Sequence, residues 1–196
     1  MAEPTTLRTF IAVPLSPEAK AYMVGVQEAV QRSLGSPGIR WVGEDARHLT
    51  LKFLGDTPAR RVAVIEQAMR MSVAEPQFTL ALTRLGAFPN AARPRVLWVG
   101  LGGELERLGS LYRALEDRMA EAHFPKEQRP FSPHITLGRV NDGTEPETLR
   151  HLTQVLRAPQ PDAGPTFTAE RLVLYQSVLR SRGAVYSELA AVELRP

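Results

Sequence analysis

The 196-residue sequence contains no cysteine, and it has only four histidines and three lysines. Without cysteine there can be no disulfide, no thiolate metal site and no cysteine nucleophile. The absence of cysteine also agrees with a reducing cytoplasm, which is the compartment we expect. No stretch approaches 18 consecutive apolar residues, and the first ten residues lack the basic and apolar regions of a signal peptide. The sequence therefore predicts neither secretion nor membrane insertion.

The composition is that of a folded protein with a slight positive charge. Hydrophobic residues make up 43% of the chain and charged residues 23%, which are ordinary values for a globular protein. The net charge of +3 is compatible with an anionic substrate but is too small to identify one. At 21.7 kDa the chain is long enough for one well-packed domain, which we expect to span residues 1–196.

Two of the four histidines lie in a four-residue pattern that occurs twice, 86 positions apart: His48-Leu49-Thr50-Leu51 and His134-Ile135-Thr136-Leu137. The predicted elements around the two copies also match. A helix begins at Pro17, about 31 residues before the first copy, and another at Glu104, about 30 residues before the second. A further helix follows each copy. The repeat therefore predicts two lobes related by a pseudo-twofold axis, with a cleft between them.

The remaining elements follow from hydrophobic periodicity and turn residues. The first helix has a strong start at Ser16-Pro17-Glu18 and a stop at Gly35. Alternating or continuous apolar segments predict strands, and a 3.6-residue period predicts the fourth helix. These predictions cover strands at 39–43, 47–55, 166–176 and 184–194, and a helix at 144–157.

Alternation along a strand separates each motif into a polar and an apolar face. In the first copy, His48, Thr50 and Lys52 share one face, while the opposite face carries Leu49, Leu51 and Phe53. In the second copy, His134 and Thr136 share a face, opposite Ile135 and Leu137. The apolar faces belong in the core, so we expect the two polar faces to line the cleft.

The polar faces contain the groups needed for acid–base chemistry at a phosphate. Threonine hydroxyls can donate hydrogen bonds to phosphate oxygens, and a nearby cation adds charge stabilisation. Lys52 has the right position in the alternation for this role, but its side chain can equally extend to solvent. Histidine titrates near neutral pH, so one ring can accept a proton while the other donates one. Zinc binding is the competing use of two histidines, but zinc requires a third protein ligand. No carboxylate lies two or four residues after either histidine on the polar face, so we expect no metal and no cofactor.

Other residues near the motifs are further candidates for substrate binding. Simple alternation places Arg139 on the core side, and we expect a bulge at Gly138 to turn it toward the cleft. Ser132, two residues before His134, is also expected to face the cleft. Trp41 and Phe131 can be core residues or can stack on a base, and both readings remain open. Trp98 lies inside an apolar run, which predicts a core position.

The motifs resemble those of the two-histidine (2H) phosphoesterase superfamily, and among its members the LigT-like RNA 2′,3′-cyclic phosphodiesterases, which are also described as RNA 2′-5′ ligases. The resemblance rests mainly on two segments, His48-Leu-Thr-Leu-Lys-Phe-Leu-Gly55 and Phe131-Ser-Pro-His-Ile-Thr-Leu-Gly-Arg139. Shorter matches at residues 8–13, 96–100 and 174–177 extend it over essentially the whole chain.

The resemblance implies an α+β fold with two lobes of antiparallel sheet, flanked by helices, and a central cleft. It also implies metal-independent opening of an RNA 2′,3′-cyclic phosphate to a 2′-phosphomonoester. By position, His48 would protonate the leaving 3′ oxygen, and His134 would act as the base. Thr50 and Thr136 would bind the phosphate, and Arg139 would assist them. The expected partner is an RNA end, with no membrane partner, and the expected state is a monomer.

Three alternatives remain open on the sequence alone. The same groups would catalyse the reverse reaction, in which an RNA hydroxyl replaces water and the enzyme is a 2′-5′ ligase. A protein that only binds RNA ends is a second alternative, although such a protein has no need of an intact acid–base pair. A small cyclic phosphate, such as ADP-ribose 1″,2″-cyclic phosphate, is a third alternative, in which the substrate is not RNA.

Overall fold

The computed structural model describes residues 6–35, 38–74, 76–160, 163–180 and 183–196. Within these ranges the chain forms nine strands and four α-helices. In chain order these elements are β1 (Thr6–Pro14), α1 (Pro17–Leu34), β2 (Ile39–Trp41), β3 (His48–Pro58), α2 (Val62–Ser72), β4 (Phe78–Phe88), β5 (Val96–Gly103), α3 (Leu105–Glu121), β6 (His134–Val140), α4 (Pro146–Arg157), β7 (Thr166–Ala169), β8 (Arg171–Arg180) and β9 (Gly183–Glu193). The predicted repeat of helix, motif strand and helix is confirmed as α1–β3–α2 and α3–β6–α4. Each motif histidine is the first residue of its strand.

Helix α1 begins and ends where its capping residues predict. The Ser16 hydroxyl accepts a hydrogen bond from the backbone N–H of Ala19 at 3.2 Å, and Pro17 occupies the first turn. The helix ends at Gly35, whose φ of 60° lies in the left-handed region that glycine adopts without strain. The Gly35 N–H donates to the carbonyl of Gln31 at 3.1 Å, which satisfies one of the last carbonyls of the helix.

The nine strands form one curled, antiparallel sheet with the two motif strands at its centre. The strand order is β7-β4-β5-β6-β3-β1-β8-β9, and β2 pairs with the end of β6. Within this order of eight strands, four lie on each side of the junction between β6 and β3, and β2 is the ninth strand, outside the order. This arrangement matches the two similar lobes of antiparallel sheet that the repeat predicts.

The helices cover one face of the sheet and build the hydrophobic core against it. Helix α2 packs on α3, and α1 packs on α4. Burying a large apolar side chain stabilises the fold by about 1.5–3 kcal/mol, so the core under these helices dominates stability. Fully buried members from helices and strands include Met23, Met69, Leu115, Leu152, Ile11, Leu49, Val99, Ile135 and Leu174. Within the described residues, no helix is long and apolar enough to cross a membrane.

The predicted strand at 166–176 is wrong, because two strands occupy this region. Strand β7 pairs with β4 at one edge of the sheet, whereas β8 pairs with β1 and β9 in the other half. The chain changes partner around Glu170. Both segments are rich in strand-forming residues, so local periodicity contains no sign that their partners differ.

Candidate active site

The two motif strands meet at the centre of the sheet. Strands β3 and β6 pair with Leu49 opposite Ile135, and both of these side chains are fully buried. Because side chains alternate along a strand, the residues on either side of this pair project from the opposite, concave face. Each of the four is partly exposed there: His48, Thr50, His134 and Thr136.

The antiparallel register determines how these four residues are spaced. With Leu49 opposite Ile135, His48 faces Thr136 across the two strands, and Thr50 faces His134. The two histidines therefore occupy diagonal positions, whose backbones lie about 7–8 Å apart in a regular sheet. A tetrahedral phosphate between the two rings would have a threonine hydroxyl on each side.

Lys52 does not lie on this face, and the prediction that it does is wrong. Strand β3 has a bulge, because Ile11 pairs with Lys52 whereas Ala12 pairs with Thr50, which leaves Leu51 unpaired. The Lys52 side chain is 4% exposed, and its Nζ lies 2.6 Å from Oε1 of Glu116. The same bulge reverses Phe53, which was expected in the core but is 66% exposed beside Phe10.

Arg139 reaches the face that the sequence predicts. Strand β6 bulges at Leu137, because Leu97 pairs with Gly138 whereas Trp98 pairs with Thr136. The expected bulge is therefore confirmed one residue before the expected position, and Arg139 is exposed. Burial raises the pKa of the Tyr186 phenol, and the positive charges of Arg139 and Arg8 partly oppose this rise.

His48 lies in a group of aromatic rings, which we name the aromatic cage: Phe10, Tyr175 and Tyr186. The ring centroids of Phe10, Tyr186 and Tyr175 lie 4.6, 5.2 and 5.9 Å from that of His48. Burial in this cage lowers the pKa of His48 from 6.5 to about 4, against the opposing effect of a hydrogen bond to the backbone of Ala46. His48 is therefore neutral in the free protein at pH 7.

His134 is oriented by a hydrogen bond from its own ring. Its Nδ1 lies 2.7 Å from the carbonyl oxygen of Ser132, and a carbonyl can only accept, so Nδ1 carries the hydrogen. The neutral ring therefore has an unprotonated Nε2 that can accept a proton. Ser132 thus acts through its backbone, and its side chain is exposed. A contact between the Ser132 hydroxyl and substrate stays a prediction.

Of the aromatic residues that the sequence singles out, Trp98 differs from its expected position. Trp98 was expected in the core, but it is partly exposed beside His134, with ring centroids 6.3 Å apart. Trp41 and Phe131 both pack against the core, and Phe131 also stacks on Tyr112 at 3.9 Å. The rings around His48 and His134 come from three separate parts of the chain, which are β1, the consecutive strands β4 and β5, and the consecutive strands β8 and β9. No local pattern groups rings from all three. The glycine at position 100, on the same face as Trp98, was the available sign that other groups closely approach this face of β5.

The concave face carries the groups that an acid–base pair requires. Among the residues that the structure describes, no group of three histidine, aspartate or glutamate side chains could hold a metal ion. The concave face instead offers two imidazoles, two hydroxyls and the Arg139 guanidinium. These groups could bind an anion and transfer protons on both sides of it.

Comparison with known proteins shows the family of the chain. Residues 16–179 match the 2′-5′ RNA ligase superfamily. An RNA 2′,3′-cyclic phosphodiesterase of Thermotoga maritima is 30% identical over 184 residues, which cover 93% of each chain. A protein of the same name from Geobacillus stearothermophilus is 35% identical over 189 residues. That match covers 94% of this chain but 56% of the relative, so this chain spans just over half of that relative's length.

Solved structures with the same fold include two bacterial proteins. LigT of E. coli in its apo form superposes with a TM-score of 0.75 at 26% identity, covering 98% of this chain and 99% of LigT. TT0787 of Thermus thermophilus superposes with a TM-score of 0.70 at 30% identity, covering 96% and 98%. LigT has also been crystallised with 3′-AMP, and that structure superposes with a TM-score of 0.74 at 26% identity, covering 97% of this chain and 99% of LigT.

Proposed function

The chain belongs to the 2′-5′ RNA ligase superfamily, and we propose that it is an RNA 2′,3′-cyclic phosphodiesterase that forms a 2′-phosphomonoester without a metal ion. The main support is the placement of two histidine–threonine pairs on one concave face, on either side of the Leu49–Ile135 pair. The names of its relatives supply the substrate class, an RNA 2′,3′-cyclic phosphate.

In the proposed reaction the two histidines act on opposite sides of the phosphorus atom. Nε2 of His134 accepts a proton from water as the water oxygen bonds to phosphorus. The bond from phosphorus to O3′ breaks, and His48 donates a proton to the departing O3′. The hydrogen bond from Nδ1 of His134 to Ser132 stabilises the imidazolium that forms. Diagonal placement of the rings suits an in-line displacement, in which the attacking and leaving oxygens are opposed.

The remaining polar groups bind the phosphate itself. The hydroxyls of Thr50 and Thr136 can donate hydrogen bonds to its non-bridging oxygens. Arg139 can donate two parallel hydrogen bonds to the same phosphate and stabilise the charge that develops there. Lys52 has no part in this proposal, because its ammonium group is held by Glu116 and by the carbonyl of Pro125.

His48 must carry a proton to act as the acid, yet the aromatic cage keeps it neutral in the free protein. With its pKa at about 4, about one molecule in a thousand has a charged His48 at pH 7. A phosphate anion nearby favours the imidazolium and raises this pKa. The substrate therefore supplies the negative charge that makes His48 an acid, and a proton is taken up when it binds.

This coupling predicts two different titrations of His48. In the free protein its ring resonances should titrate near pH 4, and saturating adenosine 2′-monophosphate should raise that midpoint by at least about one pH unit. Histidine ring spectra recorded by NMR between pH 3 and 8 measure both values. A His48→Phe spectrum identifies the peak by its loss. A free-protein midpoint near 6.5 would contradict desolvation by the aromatic cage.

The reaction is tested with a short RNA that ends in a 2′,3′-cyclic phosphate, incubated with the protein in excess EDTA. We expect a 2′-phosphate product, identified against authentic 2′- and 3′-phosphate standards. Activity that appears only when a divalent metal is restored would contradict the metal-free mechanism. A 3′-phosphate product would contradict O3′ as the leaving group. Binding without a product under either condition would favour an RNA-end binding protein.

A further inference from the structure

Trp98 stands on the concave face next to the proposed phosphate site. It pairs with Thr136 across β5 and β6, and its ring lies 6.3 Å from that of His134. Its neighbours Leu97 and Val99 point into the core and are fully buried, whereas Trp98 is partly exposed. The indole therefore lies on the same face of the sheet as His134 and Thr136.

A glycine on the neighbouring strand allows this indole to lie flat against the sheet. Gly86 pairs with Trp98, and a Cβ added to Gly86 would lie 2.3, 2.5 and 2.6 Å from three carbons of the six-membered ring. A Cβ on Gly100 would lie 3.3 Å from one of the same carbons. Any side chain at Gly86 would displace the ring. One face of the indole is thus covered by the backbone of Gly86, and the residue remains partly exposed.

The indole offers a ligand its face rather than its N–H group. In the described part of the chain, Nε1 of Trp98 is buried and has no hydrogen-bond partner. A buried tryptophan usually finds a partner for this group, so here packing rather than hydrogen bonding determines the ring position. Phe88 supports one side of the indole, with ring centroids 5.1 Å apart. The result is a fixed aromatic surface.

We propose that Trp98 is the surface on which the base of the terminal nucleotide stacks, and that the protein therefore favours purine over pyrimidine ends. This proposal rests on the proposed function, because the base is placed relative to a phosphate between His48 and His134. Stacking requires no particular hydrogen-bonding edge, so all four bases are accepted. Purines are preferred because their larger ring system covers more of the indole.

The other exposed rings fit this role less well. The three rings of the aromatic cage pack on His48 and on one another, so they shape the acid rather than present a free face. Phe53 is 66% exposed, but its nearest ring is Phe10, at 5.6 Å, so it lies beyond the aromatic cage from the phosphate site. Phe53→Leu is therefore the matched control for loss of an exposed ring on this face.

Fluorescence tests the stacking directly. The chain has two tryptophans, so Trp41→Phe leaves Trp98 as the single tryptophan emitter. Adenosine 2′-monophosphate should quench this emission saturably, and cytidine 2′-monophosphate should require a higher concentration. Ribose 2-phosphate, which has no base, should leave the emission unchanged. Unchanged emission at an adenosine 2′-monophosphate concentration that fully inhibits hydrolysis would overturn the proposal.

Kinetics separate stacking from the chemistry. The comparison is kcat/KM for adenosine 2′,3′-cyclic phosphate against that for a 2,3-cyclic phosphate of methyl riboside, which has no base. Trp98→Leu should lower this ratio at least about tenfold, mainly through KM, and Trp98→Phe should restore much of it. Gly86→Val, which displaces the indole without removing it, should lower the ratio in the same direction. Phe53→Leu and Trp41→Phe should leave the ratio unchanged.

Each outcome has a separate meaning. If Trp98→Leu hydrolyses the baseless substrate and its ratio of kcat/KM values is unchanged, the base does not stack on Trp98. That result would refute this proposal and leave the proposed function intact. If the ratio falls in Phe53→Leu instead, the base lies near Phe53 on the other side of the site, and this result would also refute the proposal. Saturable quenching without hydrolysis of any substrate would refute the proposed function and leave the base site standing.

Discussion

Replacing either His48 or His134 with alanine is expected to lower kcat by at least about 100-fold, because a positioned general acid or base typically contributes on the order of 10² to 10⁴. His48→Phe is a second variant that keeps a ring in the aromatic cage but cannot carry a proton. The double variant should lose little more activity than the worse single variant, because the two histidines act together in the same displacement step. The measurement is steady-state hydrolysis of the cyclic phosphate RNA, with circular dichroism to show that each variant is folded.

The leaving group distinguishes the two histidines. With an aryl phosphodiester that releases 4-nitrophenol, departure needs no proton, so the His48 variants should recover much of their lost rate, and the His134 variant should not. His151→Ala is the control, because that histidine is exposed on α4. A loss below tenfold in either folded variant would rule out the two-histidine mechanism. If the His134 variant recovers its rate with this substrate instead, His134 is the acid and His48 is the base.

Replacing Glu116 with alanine is expected to cost about 3–5 kcal/mol of the free energy of unfolding, because it leaves the buried ammonium of Lys52 without its counter-charge. The side chains of Lys52 and Glu116 are 4% and 8% exposed, and their charged atoms lie 2.6 Å apart. The other carboxylate oxygen accepts a hydrogen bond from the N–H of Glu127 at 2.9 Å. The loss therefore removes a contact from strand β3, from helix α3 and from the segment that follows the helix. Urea denaturation of Glu116→Ala and of the parent protein measures the change in the free energy of unfolding.

Two further variants show whether burial is the cause. Glu66→Ala removes the carboxylate of the exposed Arg70–Glu66 pair, whose side chains are 64% and 38% exposed, and it should cost no more than about 1 kcal/mol. The double variant Lys52→Met with Glu116→Leu removes both charges together and should recover most of the stability. If Glu116→Ala costs no more than Glu66→Ala, the pair does not stabilise the fold in the way its burial implies.

The sequence was sufficient where the determining interactions are local. The cap at Ser16 and the stop at Gly35 bounded α1 correctly, because both act within one helical turn. Alternation placed His48 with Thr50, and His134 with Thr136, because residues two apart in a strand share a face where no bulge lies between them. The repeat placed the two motif strands in equivalent positions. These three arguments required no knowledge of which strands are neighbours.

Prediction failed where a strand's neighbours decide the outcome. Lys52 and Arg139 posed the same question, which is whether a bulge reverses the side chain. The expected bulge before Arg139 is present, whereas the bulge at Leu51 that removes Lys52 from the concave face was not expected. Those bulges are matched to β1 and β5, which lie elsewhere in the sequence. Trp98 was misplaced for a similar reason, because an apolar run contains no record that Gly86 lies across from it. Nor could the sequence assemble the aromatic cage from three separate strands.

The pairing of β1 with β8 also determines when the site can form during synthesis. Ala12 pairs with Val173, so β1 waits for a strand that lies far along the chain, and closing so long a loop is slow and entropically costly. A chain emerging from the ribosome exposes His48 and His134 before Tyr175 and Tyr186. His48 is therefore synthesised before two of the rings whose packing lowers its pKa.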